Sequence, residues 1–176
     1  MNITSATQKD KANIIALWQQ AFGDDEEYIS HFLDYAFNNA NILLIKENDI
    51  LISMLTLIPA VIKTSSIDIS ALYIYAVATD KEYRGKGYCR KLLSYAEDIA
   101  KEQNISALFL IAETKNLTTF YKKFGFDFFE KSDVVMKNNA TPYIYKPAFD
   151  DVGNIYANAM VKRLKPDCDV FEIVIE

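Results

Sequence analysis

The stretch from Leu72 to Tyr88 reads L-Y-I-Y-A-V-A-T-D-K-E-Y-R-G-K-G-Y, and its changes of residue type decide the fold. An apolar run gives way to a short acidic turn, then to a basic loop with glycines. The helical pattern C-R-K-L-L-S-Y-A-E follows from Cys89. A buried strand that ends in a loop of exposed backbone N–H groups, leading onto a helix N-terminus, is built to hold phosphate. The stretch therefore points to a phosphate-bearing cofactor.

Downstream, Arg90 to Gln103 puts Leu92, Leu93, Ala96, Ile99 and Ala100 on one helical face. A-L-F-L-I-A, residues 107–112, reads as a second buried strand. Asn116 to Phe124 reads as a short helix and Phe126 to Met136 as one more strand. A strand–helix–strand unit from Leu72 to Ala112 requires a parallel pair with a crossover helix. Upstream, Ile14, Leu17, Trp18, Ala21 and Phe22 recur at helical spacing, so Lys9 to Phe22 is an amphipathic helix with Trp18 in the core. Gly23 ends it, and Asp24 or Asp25 caps a second helix with Tyr28, Ile29, Phe32, Leu33 and Ala36 on its apolar face. N-I-L-L-I-K and I-L-I-S-M-L-T-L-I-P are strands joined by a tight turn at E-N-D. A turn around Thr64 to Ser66 leads into the long strand from Ile67 to Ala78. Tyr156 to Leu164 and Val170 to Ile175 are two further strand candidates, the second the stronger.

This order predicts an α/β domain with a mixed, mostly antiparallel sheet, a central parallel strand pair and helices on both faces. No internal repeat or Pro-, Gly- or Ser-rich linker divides the chain, so 1–176 is expected to be one domain. Its 176 residues suffice to bury a core without disulfides or metals. With 51% hydrophobic and 24% charged residues, the composition is globular rather than disordered. A net charge of −5 argues against nucleic acid and anionic membranes as partners. Cys89 and Cys168 have neither metal-ligand nor disulfide-framework spacing. The apolar run Ile50 to Ile62 is too short to span a bilayer, and the N-terminus lacks a signal pattern, so a cytoplasmic location is expected.

Two segments carry a family resemblance. R-G-K-G-Y-C, Arg84 to Cys89, resembles the pyrophosphate loop of the GNAT-type N-acetyltransferases, with Cys89 where glycine or alanine is usual. F-Y-K-K-F-G-F, Phe120 to Phe126, resembles that superfamily's Y-x-x-x-G-F segment. The resemblance extends over Ile3 to Met136. L-W-Q-Q-A-F-G-D-D and L-I-A-E are similar to the subgroup related to the enhanced-intracellular-survival acetyltransferases, whose extra domains this chain is too short to contain.

The resemblance implies transfer of an acetyl group from acetyl-CoA to an amine by direct attack, the amine being a small molecule or a protein. A non-catalytic acyl-CoA-binding or sensor module with the same fold is the alternative. The N–H groups of Gly85 to Cys89, Tyr88 included, would hold the pyrophosphate. Arg84, Lys86 and Arg90 would add charge, each charge-assisted hydrogen bond contributing about 1.5–3 kcal/mol. The matching strand end, Val77, Ala78 and Thr79, would hold the pantetheine arm, with a backbone N–H at Val77 facing the thioester oxygen. Without a ligand, the same residues would be a strand end and a solvated basic turn.

Tyr121 stands where the superfamily has its general acid; a phenol with a pKa of about 10 is protonated at neutral pH and can donate. It can also be read as a core aromatic beside Leu117, Phe120 and Phe124. Glu113 is placed to accept the amine proton directly or through water, and equally to be a surface carboxylate or a contact to coenzyme A. The terminal carboxylate of Glu176 is a further base candidate, and Asn116 lies nearer Tyr121 than the superfamily's cofactor-binding asparagine would. His31 reads as a surface or half-buried helix residue. Asp24 to Glu27 read as a charged helix start or as an acidic rim that attracts a cationic substrate. Cys89 is not expected to be a nucleophile, since direct transfer needs no acyl-enzyme. No metal is expected, and the C-terminal strand and exposed aromatics offer surfaces for a homodimer.

Overall fold

A computed structural model describes residues 2–63, 67–128, 133–136 and 159–165. The chain forms two compact units, Met1–Ile58 with Ile74–Ala96, and Pro59–Tyr73 with Glu97–Glu176.

In the first unit, β1 (Ile3–Ser5) pairs antiparallel with β2 (Asn41–Glu47), Ile3 opposite Ile45. β2 pairs antiparallel with the first part of β3 (Ile50–Lys63), Asn41 opposite Leu57. Asn48 and Asp49 join them with φ of 49° and 65°, as a two-residue type I′ turn requires; Asn and Asp tolerate that region better than other side-chain-bearing residues. Two helices lie between β1 and β2. A 3₁₀ turn at Gln8–Asp10 precedes α1 (Lys11–Phe22), so the predicted helix from Lys9 begins as that tighter turn. Gly23 closes α1 at φ 78°, its N–H donating to Gln19 O over 3.0 Å. Asp25 caps α2 (Glu26–Asn39), its Oδ1 accepting the Tyr28 N–H over 2.7 Å, while Asp24 accepts the Trp18 indole N–H. Trp18 is buried against Phe32, ring centroids 5.1 Å apart.

The second unit holds the rest of β3, the first part of β4 (Asp68–Thr79), and β5 (Ala107–Ile111). β4 pairs parallel with β5 over Ala71–Tyr73 and Ala107–Phe109, and Tyr73 stacks on Phe109 at 4.8 Å. Leu108, Phe109 and Leu110 are all buried, as expected of a strand covered on both faces. β8 (Ala159–Arg163) runs antiparallel to β5, within the stretch predicted as Tyr156 to Leu164, and β6 (Asp127–Phe128) pairs with β8. β7 (Asp133–Met136) pairs instead with β3. The single strand expected from Phe126 to Met136 is thus two strands with different partners. Local sequence carries the extended tendency of both, but not the choice of neighbour. The expected turn at Thr64–Ser66 and strand at Val170–Ile175 lie outside the described residues.

The fold is mixed α/β, with a mostly antiparallel sheet and one parallel pair among the described strands. The remaining helices are α3 (Tyr88–Glu102) and α4 (Lys115–Lys122). Within the second unit the Glu97 carboxylate takes both Lys101, at 2.8 Å, and Lys162. Burial opposes its charge, but these two ammonium groups outweigh that and hold its pKa below the ordinary glutamate value.

Candidate functional site

The site begins where β4 ends, in the first unit. Ala76 sits inside this strand with φ 50°, a left-handed backbone immediately before Val77, Ala78 and Thr79. Val77 and Thr79 are half-buried and Ala78 is buried. Ser53 of β3, itself fully buried, donates its hydroxyl hydrogen bond to Ala78 O over 2.8 Å and lies 2.8 Å from Thr79 Oγ1. Asp80 N–H donates to Ile52 O over 2.9 Å. Asp80 then caps the 3₁₀ turn Lys81–Tyr83, accepting from Glu82 N–H and from the Gln20 amide, which together hold its carboxyl below the usual aspartate pKa.

Arg84 folds back so that its Nε donates to Thr79 O over 3.1 Å, joining the basic loop to the strand end. Gly85 and Gly87 have φ of 76° and 85°, and a Cβ added to either would meet nothing within 4 Å. Their conformation demands glycine, and the space beside them is open to a ligand. Helix α3 follows at once, its first hydrogen bond running from Lys91 N–H to Gly87 O. As at any helix start, the N–H groups of its first turn have no intrahelical acceptor. Lys86 and Arg90 are exposed, with the Lys86 ammonium 4.8 Å from the centre of the Tyr83 ring. Open glycines, first-turn donors and three cationic side chains fit a pyrophosphate.

Two loop residues keep their side chains out of this cradle's chemistry. Tyr88 is buried, with its hydroxyl bonded to Glu47 Oε1 at 2.7 Å, so only its backbone is offered to a ligand. The Cys89 thiol is pushed up to about 12 by burial, which leaves it protonated at neutral pH.

Glu113, Asn116 and Tyr121 belong to the second unit. Thr114 caps α4, its hydroxyl accepting from Leu117 N–H. Glu113, just before that cap, is exposed, as is Asn116 in the first turn. Tyr121 lies near the end of α4, 7% exposed, with its ring edge-on to Phe120 at 5.3 Å and to Phe126 at 6.0 Å. Gly125, at φ 85°, makes the turn that brings Phe126 back under Tyr121. His31 is an exposed residue of α2. Glu176 and Cys168 lie outside the described residues.

Sequence reasoning missed Ser53, Tyr28, Tyr75 and Glu47. Each acts through a partner 25 to 47 residues away, a distance that no local pattern reports. The left-handed Ala76 had no signal either, because the residue type usually forced there is glycine.

Among the described residues no group of three or more His, Cys, Asp or Glu side chains could hold a metal ion, and no helix is long and apolar enough to cross a membrane.

A strand with a left-handed residue near its end, a glycine loop and a helix start are thus set in a mixed α/β fold. The acetyltransferase (GNAT) domain model matches residues 2–129, and the chain belongs to that family. No curated protein matches it. Among solved structures, YhbS of Escherichia coli, a GNAT family N-acetyltransferase in complex with CoA, is similar at TM-score 0.71 and 18% identity, over 99% of this chain and 88% of that one. A GNAT family acetyltransferase of Brucella melitensis in complex with acetyl-CoA gives 0.65 and 14%, over 97% and 92%. Eis1 of Mycobacterium abscessus gives 0.62 and 9%, over 74% and 33%, a likeness of fold alone. Against several longer proteins of this fold the match spans only 32–34% of the other chain's length.

Proposed function

We propose that this chain transfers an acetyl group from acetyl-CoA to an amine by direct attack. The observation that carries the reading is the pair of left-handed glycines, Gly85 and Gly87, opening onto free space immediately before α3. Family membership and the CoA and acetyl-CoA held by the E. coli and Brucella relatives support it.

When bound, acetyl-CoA supplies the activated thioester. The N–H groups of Gly85 to Cys89 take the pyrophosphate oxygens, and Arg84, Lys86 and Arg90 neutralise their charge. Backbone groups of Val77, Ala78 and Thr79 hold the pantetheine arm, and the N–H of Val77 donates to the thioester oxygen as negative charge grows there. The amine nitrogen bonds to the acetyl carbon while the carbon–sulfur bond breaks. Tyr121 gives its phenolic proton to the departing sulfur, and Glu113 takes the surplus proton of the amine, directly or through water. With Cys89 held as a thiol, the chain has no acyl-enzyme role for it.

The test is titration with acetyl-CoA by calorimetry, wild type beside Gly87→Glu, followed by an amine panel run with Tyr121→Phe. Micromolar binding abolished by Gly87→Glu, and turnover that collapses in Tyr121→Phe, are expected. No binding by the wild type would overturn the proposal.

A further inference from the structure

Among the described residues, four that are not glycine have a left-handed backbone, and three of them, Asn48, Asp49 and Asn104, are the Asn and Asp types that bond locally in turns. Ala76 is the fourth. It lies inside a strand and has no polar side chain to offset its conformation. Such a residue persists only where its surroundings over-determine it.

The first unit supplies those surroundings on both sides of Ala76. On the N-terminal side, the Tyr75 hydroxyl oxygen is 2.7 Å from that of Tyr28, and the Tyr75 ring packs on Trp18 at 5.8 Å and on Phe32 at 5.2 Å. Tyr28 is itself fixed, because its N–H is taken by the Asp25 cap. On the C-terminal side, the buried Ser53 hydroxyl holds Ala78 O and Thr79 Oγ1. Together they hold Tyr75, the residue before it, and the Ala78 carbonyl and Thr79 hydroxyl, two and three residues after it, and so restrict the φ and ψ that Ala76 can adopt.

We propose that Tyr28, Tyr75 and Ser53 are positioning residues that clamp Ala76 in its left-handed conformation and thereby aim the Val77–Thr79 backbone. The consequence for catalysis rests on the acetyl-transfer reading; the clamp itself does not. A clamp of this kind sets transition-state geometry rather than affinity. Its loss should therefore appear in kcat while acetyl-CoA binding, made mainly by the glycine loop, is retained.

The experiment has two readouts. In ¹³C,¹⁵N-labelled protein without ligand, a left-handed residue gives a strong intraresidue Hα–HN NOE, because the two protons lie closer than at negative φ. A strong NOE at Ala76 that weakens in Tyr28→Phe and in Ser53→Ala is expected. An NOE unchanged in both, or already weak in the wild type, would overturn the clamp whether or not any amine is acetylated. Tyr28→Phe removes one oxygen from a half-buried site, so it decides the matter alone if Ser53→Ala fails to fold. In the acetylation assay, Tyr28→Phe should lower kcat about tenfold with the acetyl-CoA dissociation constant within about twofold. Ala76→Gly added to Tyr28→Phe should restore most of the lost rate, since glycine needs no clamp. A rate unchanged by Tyr28→Phe, or a loss that Ala76→Gly does not restore, would overturn the positioning role. Absence of turnover in the wild type would instead count against the transfer reaction and leave the NOE to decide the clamp.

Discussion

The Tyr88 hydroxyl donates to Glu47 Oε1 over 2.7 Å, fastening the first residue of α3 to the last residue of β2. The glycine loop is thus anchored at one end by Tyr88 and at the other by Arg84 on Thr79 O. Tyr88→Phe removes the first anchor while keeping the ring against Tyr83. It should lower stability and weaken acetyl-CoA binding roughly 3- to 10-fold with kcat little changed, read by thermal melting, calorimetry and initial rates. The bond to Glu47 also raises the Tyr88 pKa. A group raised in the folded state contributes stability that is present below its unfolded value, about 10, and lost as pH rises through the folded one. The stability gap between wild type and Tyr88→Phe should therefore persist at neutral pH and close only in alkali.

Gly85→Ala separates space from conformation. Nothing stands within 4 Å of the added methyl group, so any loss comes from the backbone at φ 76°. A fall of about 1–2 kcal/mol is expected, seen as roughly 2–8 °C in thermal melting. A melting temperature equal to the wild type's would show that the loop readily adopts a different backbone.

Tyr121→Phe should reduce kcat about 10²- to 10⁴-fold, leave acetyl-CoA affinity intact and change the melting temperature little. The ring contacts with Phe120 and Phe126 survive the change, which makes this a test of the hydroxyl rather than of the core. An undiminished kcat would leave Tyr121 as a packing residue.

Asp10 supplies a second pH prediction. Its side chain is about nine-tenths buried, and burial opposes its charge. Lys46, together with the N–H and hydroxyl of Thr7, outweighs that effect and lowers its pKa. The stability this gives is complete above the unfolded value, about 3.9, and is lost as pH falls through the folded one. Asp10→Asn should cost about 1–3 kcal/mol near neutrality in urea denaturation, and the two proteins should converge in acid below the ordinary carboxylate range.

Cys89, with its thiol pushed up to about 12, should react with iodoacetamide at neutral pH about a thousandfold more slowly than a free thiol, measured in a Cys168→Ser background. Rapid alkylation would show that the residue is exposed to solvent.

The strand–loop–helix was legible because three local signals coincide between residues 72 and 102: an apolar run, glycines in a basic loop, and helical spacing. Gly23 and a cap at Asp24 or Asp25 were legible for the same reason, each acting on a neighbour within four residues, and the structure selects Asp25. What the sequence concealed lies in pairings. β6 and β7, only four residues apart, choose different strands, and that choice is made by tertiary packing rather than by propensity. The bond between Tyr28 and Tyr75 spans 47 residues, and Ser53 reaches Ala78 across 25. The left-handed Ala76 is a place where local preference is overruled, as happens at functional sites.

The two units interleave along the chain: each consists of two segments, with β3, β4 and α3 contributing to both. No single cut therefore releases either one whole. Recombination that preserves this architecture must carry both units together, while additional modules are accommodated at the termini or in loops.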